Sequence, residues 1–384
     1  MPVRAAFSLA RPLLLLLPLL ALASCDGDPP RQLPATAPAQ PVTDLELRPL
    51  TPLLPARPTH VAVDSLGNVY WTQEADRLDD TLFVIGEGAI PRATQLSAGN
   101  IAAAMGVSGG RGNIQGIAAG PDGDIYFFFR GGAAARRSMA VLGRYSPKTA
   151  KIRVLADTDA IAAATGMGRS LPLARGTLLS DGRFIWAWIR HTDAWALFQI
   201  DPAKLAPDGP AALVKAFDAV KVAGKPLPLT RDEYELWPGL DGTLFLLDPV
   251  GGHLLRIDAA GNATVARSLA GLPNALSTPA VDRRGQILLF AGNVPESQII
   301  KPTTEDDAAA PKLPEISYPA MLMFEGNSFA AAAERDRIMA YPGFQVYAMR
   351  LKHLVPNPTA QEWISYDAGS GELLRLKLRQ RLWP

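Results

Sequence analysis

From about residue 44 onward the chain alternates short apolar runs with glycine-centred turns. Five segments share one layout, an apolar run, a turn and a second apolar run. They are VAVDSLGNVYW from Val61, IAAGPDGDIYFFF from Ile117, GTLLSDGRFIWAW from Gly176, WPGLDGTLFLL from Trp237 and PAVDRRGQILLF from Pro279. Their turn glycines, Gly67, Gly123, Gly182, Gly242 and Gly285, are spaced by 56, 59, 60 and 43 residues. SFAAAAERDRIMAY from Ser328 reads as a sixth, degenerate copy without the glycine. The Asp-Gly and Leu-Gly pairs supply the positive φ that tight hairpin turns need. Val, Ile, Phe, Tyr and Trp in the flanking runs suit a pleated surface. The runs are nearly continuous rather than alternating, which predicts strands covered on both faces.

A second strand-turn motif follows in most units: GRYSPKTAKIRVL from Gly143, FQIDPAKLAPDG from Phe198, LRIDAAGNATV from Leu255 and ISYDAGSGELLRL from Ile364. Two hairpins per unit make a four-stranded antiparallel sheet, and about six units cover Leu45 to Leu382. Radial repetition of such sheets is one solution to the problem of unpaired strand edges. The expectation is an all-β chain whose residues 44–384 form a single β-propeller of six four-stranded blades. Leu45 to Leu50 should pair with a strand near the C-terminus to close the ring. The strand text resembles NHL-repeat propellers and the gluconolactonase (senescence-marker) family, and more broadly the six-bladed propellers classed as TolB-like. The resemblance covers nearly all of the chain after residue 44 and implies the fold. It implies no single activity, because those families include enzymes, binders and scaffolds. The 43-residue spacing and the Glu305-Asp306-Asp307 loop mark blades five and six as irregular and leave five or seven blades as alternatives.

The first 43 residues have a different character. Arg4 and Arg11 precede any acidic residue, and Pro12 to Ala23 is an apolar stretch too short to span a bilayer. Residues 1–24 therefore read as a signal peptide. Leu22-Ala23-Ser24-Cys25 resembles the lipobox of bacterial lipoproteins, which implies that Cys25 is lipidated and holds the chain to a membrane. Stable anchoring needs more than one acyl chain, since each buried CH₂ contributes about 0.8 kcal/mol. Asp26 resembles an inner-membrane retention signal, which favours the inner membrane and a domain facing the periplasm. Residues 25–43, Pro- and Ala-rich after the cysteine, form a tether. Cys25 is the only cysteine, so the domain beyond it forms no internal disulfide and must hold together by packing. Without Arg4 and Arg11, 36 cationic side chains face 37 acidic ones, which argues against a nucleic-acid partner.

Candidate chemistry is sparse. In propellers of the resembled kind the innermost strand starts at the mouth of a central channel. Seven residues before each turn glycine stand His60, Gly116, Arg175, Glu235 and Thr278, so His60, Arg175, Glu235 and Thr278 are the channel-mouth candidates. Gluconolactonase-type enzymes hold a divalent cation in this channel with Glu, Asn and Asp. The resemblance thus makes Glu235 a metal candidate and calcium the candidate ion. Hard cations want six or more oxygens, and here His, Arg and Thr occupy the other positions. No cofactor is otherwise expected, and the competing reading is an ion pair between Glu235 and Arg175. The four histidines, His60, His191, His253 and His353, show no zinc-binding spacing. No serine lies in a GxSxG elbow, and GGRGN from Gly109 lacks the Lys-Ser/Thr of a phosphate loop.

Two further repeats lie between the units. IAAAMGVSGGRG from Ile101 and IAAATGMGRSLPLARG from Ile161 are near copies, as are RSLPLAR from Arg169 and KPLPLTR from Lys225. All precede inner strands, which would place Arg111, Arg169, Lys225 and Arg231 beside Arg175 as a basic rim for a small anionic ligand or an envelope protein. The opposing reading is that the copies record duplication and the charges are merely solvated. Three functions stay open: a lipid-anchored propeller binding a ligand or partner through its mouth, a metal-dependent lactonase-like hydrolase, and an envelope-assembly scaffold. No catalytic residue is assigned.

Overall fold

The computed structural model describes residues 45–50, 58–73, 80–86, 90–132, 138–206, 210–211, 213–239, 243–277, 279–281, 286–292, 294–303, 316–318, 320–325, 328–333, 351–357, 362–367 and 371–378. The signal segment, Cys25, Asp26, the tether, Thr278, Gly242 and Gly285 lie outside them.

Six antiparallel sheets are arranged around a ring of inner strands, forming an all-β six-bladed propeller. The inner strands are Pro58–Val63, Arg111–Ala119, Arg175–Ser180, Glu235–Pro238, Ala280–Val281 and Leu351–Asn357. Each packs beside the next, and the sixth packs beside the first. Second strands run back antiparallel: Val69–Gln73, Ile125–Gly132, Ile185–Arg190, Leu244–Asp248, Ile287–Ala291 and Glu362–Asp367. The end of the ring where inner strands begin and second strands finish is called the mouth below.

The hairpin turns form at the opposite end for a reason visible in the text. Gly67, Gly123 and Gly182 have φ of 82°, 80° and 84°, where a side chain would be strained. An aspartate in each turn then fastens it to an aromatic of the second strand. Asp64 Oδ1 accepts from the amides of Leu66 and Asn68, and its Oδ2 accepts from Tyr70 Oη at 3.3 Å. Asp122 accepts from Tyr126 Oη at 2.9 Å, and Asp181 from Trp186 Nε1 at 3.0 Å. Beyond the turns, second-strand runs such as Ile125 to Phe129 are wholly buried, as expected of strands covered on both faces.

The ring closes by strand exchange between the two ends of the domain. Leu45–Pro49 is the outermost strand of the sixth blade and pairs antiparallel with Leu373–Leu378, Leu45 opposite Leu378. The sequence reading of the last two blades needs correction. Ser328–Ala333 is the outer strand of blade five and does not open a sixth unit. ISYDAGSGELLRL spans the second and third strands of blade six, so its turn lies at the mouth, unlike the other members of that motif.

The near copies between units are helical. Ala98–Ala104 is capped by Ser97 and Thr158–Thr165 by Asp157, and each buries its isoleucine, Ile101 or Ile161, against the sheets. Their repetition thus records a packing need. The other pair diverges: Gly168–Leu173 is a 3₁₀ turn, whereas Lys225–Leu227 is a strand. That strand pairs with Val220–Val222, and the hairpin adds to the outer edge of blade four.

Candidate functional site at the channel mouth

Blades six and one bring three ring side chains together at the mouth. His60 sits on the inner strand of blade one, His353 on the inner strand of blade six, and Tyr366 on the second strand of blade six. The His60 and His353 ring centroids are 5.7 Å apart at 53°, and His353 stacks on Tyr366 at 5.8 Å and 26°. Tyr366 Oη donates to the Thr59 carbonyl at 3.2 Å, and the Thr59 and Thr72 hydroxyls are hydrogen-bonded at 2.7 Å. His353 adopts φ 50°, in the left-handed region, within a strand whose register shifts between Lys352 and Val355. The Ser365 hydroxyl steadies this bulge by donating to the Lys352 carbonyl at 2.6 Å.

Burial decides the charge state of this group. Desolvation, then the nearby His353, lowers His60 to about 3. Desolvation, then Lys352, lowers His353 to about 4. Both imidazoles are therefore neutral at pH 7. Desolvation followed by the charge of Glu235 pushes the Tyr366 phenol upward, so it stays protonated. Glu235, the first residue of blade four's inner strand, is thus within electrostatic reach of blade six.

Blades two to four build the facing wall from arginines. Arg130 Nη1 donates to the carbonyls of Leu173 and Ala174 at 3.1 and 3.3 Å. Arg190 Nη1 donates to those of Arg231 and Tyr234 at 2.7 and 3.1 Å. In both cases a second-strand arginine grips the segment leading into the next blade's inner strand. Arg190 is 8% exposed, its guanidinium lies 4.0 Å over the Trp188 ring, and its Nε has no hydrogen-bond partner among the described residues. Burial lowers both arginines; Arg175 lowers them further, while Glu235, Asp232 and Glu233 work against the shift at Arg190. These six groups therefore share one field at the mouth.

The sequence candidates fall into three sets. His60, Arg175 and Glu235 lie at the starts of inner strands, His60 two residues in and the other two first. Arg175 pairs with Asp232 at 3.0 Å, both side chains being more than half exposed. Arg111 begins blade two's inner strand and is exposed; exposed Arg231 lies 5.8 Å over the Tyr234 ring. Gly116 is packing rather than chemistry, because a Cβ there would meet the Gly176 carbonyl at 2.8 Å. Lys225 does not belong to the rim: it lies on the outer edge of blade four. Arg169 lies in the 3₁₀ turn before Arg175, with its side chain outside the described set, as is all of Thr278.

Calcium suits this mouth poorly. Glu235 stands among arginines, and among the described residues no three His, Cys, Asp or Glu side chains converge as a metal group. His353, Tyr366, Arg130 and Arg190 were missed by sequence reasoning. The arginines carry a signal, each closing an apolar second-strand run, FFFR and WAWIR. The blade-six pair carries none, since no turn glycine marks its inner hairpin.

No protein-family model and no curated protein matches the chain. Solved structures do. A catalytically inactive virginiamycin B lyase from Staphylococcus aureus with quinupristin is 13% identical, covering 87% of this chain and all of its own, with a TM-score of 0.43. A gluconolactonase from Xanthomonas campestris is 13% identical over 88% of this chain and 92% of its own, with a TM-score of 0.44. A calcium-binding regucalcin from Agrobacterium tumefaciens is 12% identical over 85% and 91%, with a TM-score of 0.46.

Proposed function

We propose that this chain is a lipid-anchored envelope propeller that binds a small oxyanionic ligand through its channel mouth. The observation that carries the reading is the placement of two arginines against Arg175: Arg190 is opposite it in register, and Arg130 holds the Leu173 and Ala174 carbonyls just before it. Arg130 and Arg190 are held by carbonyls, so they supply standing positive potential. Arg175 is the exposed member. Its exposed ion pair with Asp232 is worth at most about 1 kcal/mol, so a ligand oxyanion can displace the carboxylate.

The test is binding of inorganic phosphate and of a small dicarboxylate to the purified chain, followed by calorimetry at low and high salt. Arg175→Ala should weaken binding about tenfold, and the loss should shrink as salt rises. Binding by Arg175→Ala equal to the parent, or binding insensitive to salt, sinks the reading. The anchor rests on the lipobox text; Cys25→Ser should release the protein from the membrane fraction, and retention of processed, membrane-bound protein counts against it.

One observation favours a second reading. His60 and His353 meet at the mouth, and a neutral imidazole is a group that can take a proton from water in lactone hydrolysis. Hydrolysis of a simple lactone, lost in His60→Gln and His353→Asn together, would support it.

A further inference from the structure

We infer that His60 and His353 form a two-imidazole site for a borderline transition-metal ion of the zinc, copper or nickel kind. The inference is independent of the oxyanion reading and uses different residues.

Geometry comes first. An ion about 2.0–2.1 Å from one ring nitrogen of each of two imidazoles separates their centroids by about 5–6 Å. The observed separation is 5.7 Å, and the 53° tilt excludes a stacked pair. The two residues come from the blades that meet at ring closure, so the pair is fixed by tertiary structure and absent from any local stretch of chain.

Backbone strain comes second. Position 353 holds left-handed backbone, which few residues other than glycine adopt, though histidine is among those that tolerate it. The bulge around it bends the strand, and such bulges re-aim side chains. Ser365 is fully buried and spends its hydroxyl on the Lys352 carbonyl, which holds the bulge in place. A costly conformation held by a dedicated partner is what a required side-chain position looks like.

Chemistry comes third. Metal ligation needs the neutral imidazole, the form that predominates for imidazole at pH 7. Imidazole nitrogen suits zinc, copper and nickel, whereas calcium requires oxygens. Tyr366 Oη is committed to the Thr59 carbonyl, so the phenol acts as packing against His353. No third His, Cys, Asp or Glu joins the pair among the described residues. Water can fill the remaining coordination positions.

The experiment titrates Zn²⁺, Cu²⁺ and Ca²⁺ into the detergent-solubilised full chain after chelator stripping. Variants are His353→Asn, which keeps a residue tolerant of positive φ, His60→Gln, and His191→Asn as a control for adventitious binding. One Zn²⁺ or Cu²⁺ should bind per chain without competition from Ca²⁺. Affinity should fall at least about tenfold in His353→Asn and in His60→Gln, and stay unchanged in His191→Asn. The electron paramagnetic resonance spectrum of the Cu²⁺-loaded parent should show coupling to two imidazole nitrogens. If the His60 and His353 variants bind as the parent does, or the parent binds no transition metal, the inference is overturned. Should either variant fail to fold, the parent's spectrum decides: two nitrogens support the site, one or none overturns it.

Discussion

Tyr366 Oη and the Thr59 carbonyl, 3.2 Å apart, join blade six to blade one across the place where the ring of inner strands closes. The two residues are separated by 307 positions, so this bond exists only once the whole domain has formed. Beside it lie His60 and His353, one on each side of the same seam. The seam therefore couples ring closure to two titratable groups.

That coupling gives a pH dependence of definite sign. Both histidines titrate lower in the folded chain, at about 3 and about 4, than the ordinary 6.5. Below 6.5 the unfolded chain takes up protons that the folded chain refuses. Their contribution to stability is complete above pH 6.5 and is lost as pH falls from 6.5 towards 4. The slope is about 1.4 kcal/mol per pH unit for each histidine. Melting temperature measured from pH 7.5 to 4.5 should fall through this window, and less steeply in His353→Asn than in the parent. Parallel curves for the two would refute the assignment, because the carboxylates titrating in the same range are common to both.

The two mouth arginines that face each other across a strand pair make a contrast. Arg175 and Arg190 are directly opposed in register, yet one is exposed and the other buried. Arg190→Ala removes two hydrogen bonds to the blade-four lead-in and leaves the Arg231 and Tyr234 carbonyls without them. It should cost about 2–4 kcal/mol, while Arg175→Ala should cost at most about 1 kcal/mol. Denaturant unfolding of both variants checks the ranking, and equal losses would mean that Arg190 is not the clamp described.

How far the sequence could be read follows from where local signals suffice. Gly67, Gly123 and Gly182 announce hairpins because positive φ is a local demand, and three blades were legible from it. Ser328–Ala333 misled because an alanine-rich outer strand carries the same apolar text as an inner one, and only pairing tells them apart. Arg169 and Lys225 stand at the head of near-identical text that folds two ways. Before Lys225, Ala223 and Gly224 both have positive φ, as a two-residue primed turn requires, and they fold the segment into a hairpin. Before Arg169, Gly166 ends a helix and Gly168 continues into a 3₁₀ turn. Flanking glycines outweighed the shared motif. His353 and Tyr366 were invisible because their meeting with His60 depends on ring closure.

Closure itself supplies the last prediction. The outermost strand of blade six comes from Leu45–Pro49, paired through Leu47 opposite Leu376 and extended by the Leu50 amide donating to the Leu373 carbonyl at 2.8 Å. A chain beginning at residue 44 keeps that strand; one beginning at residue 51 loses it and nothing else described. The second chain would expose the backbone edge of Leu373–Leu378, whose Leu374 and Leu376 are fully buried, as an apolar template for other strands. It would also open the blade that carries His353 and Tyr366. The chain from residue 44 should be monodisperse by light scattering with a single cooperative melt. The chain from residue 51 should associate or melt at a clearly lower temperature. Adding a synthetic peptide of residues 44–51 in excess should recover part of the loss, because the missing strand supplies pairing rather than a covalent link. Equal behaviour of the two chains without peptide would show that the ring does not depend on this strand.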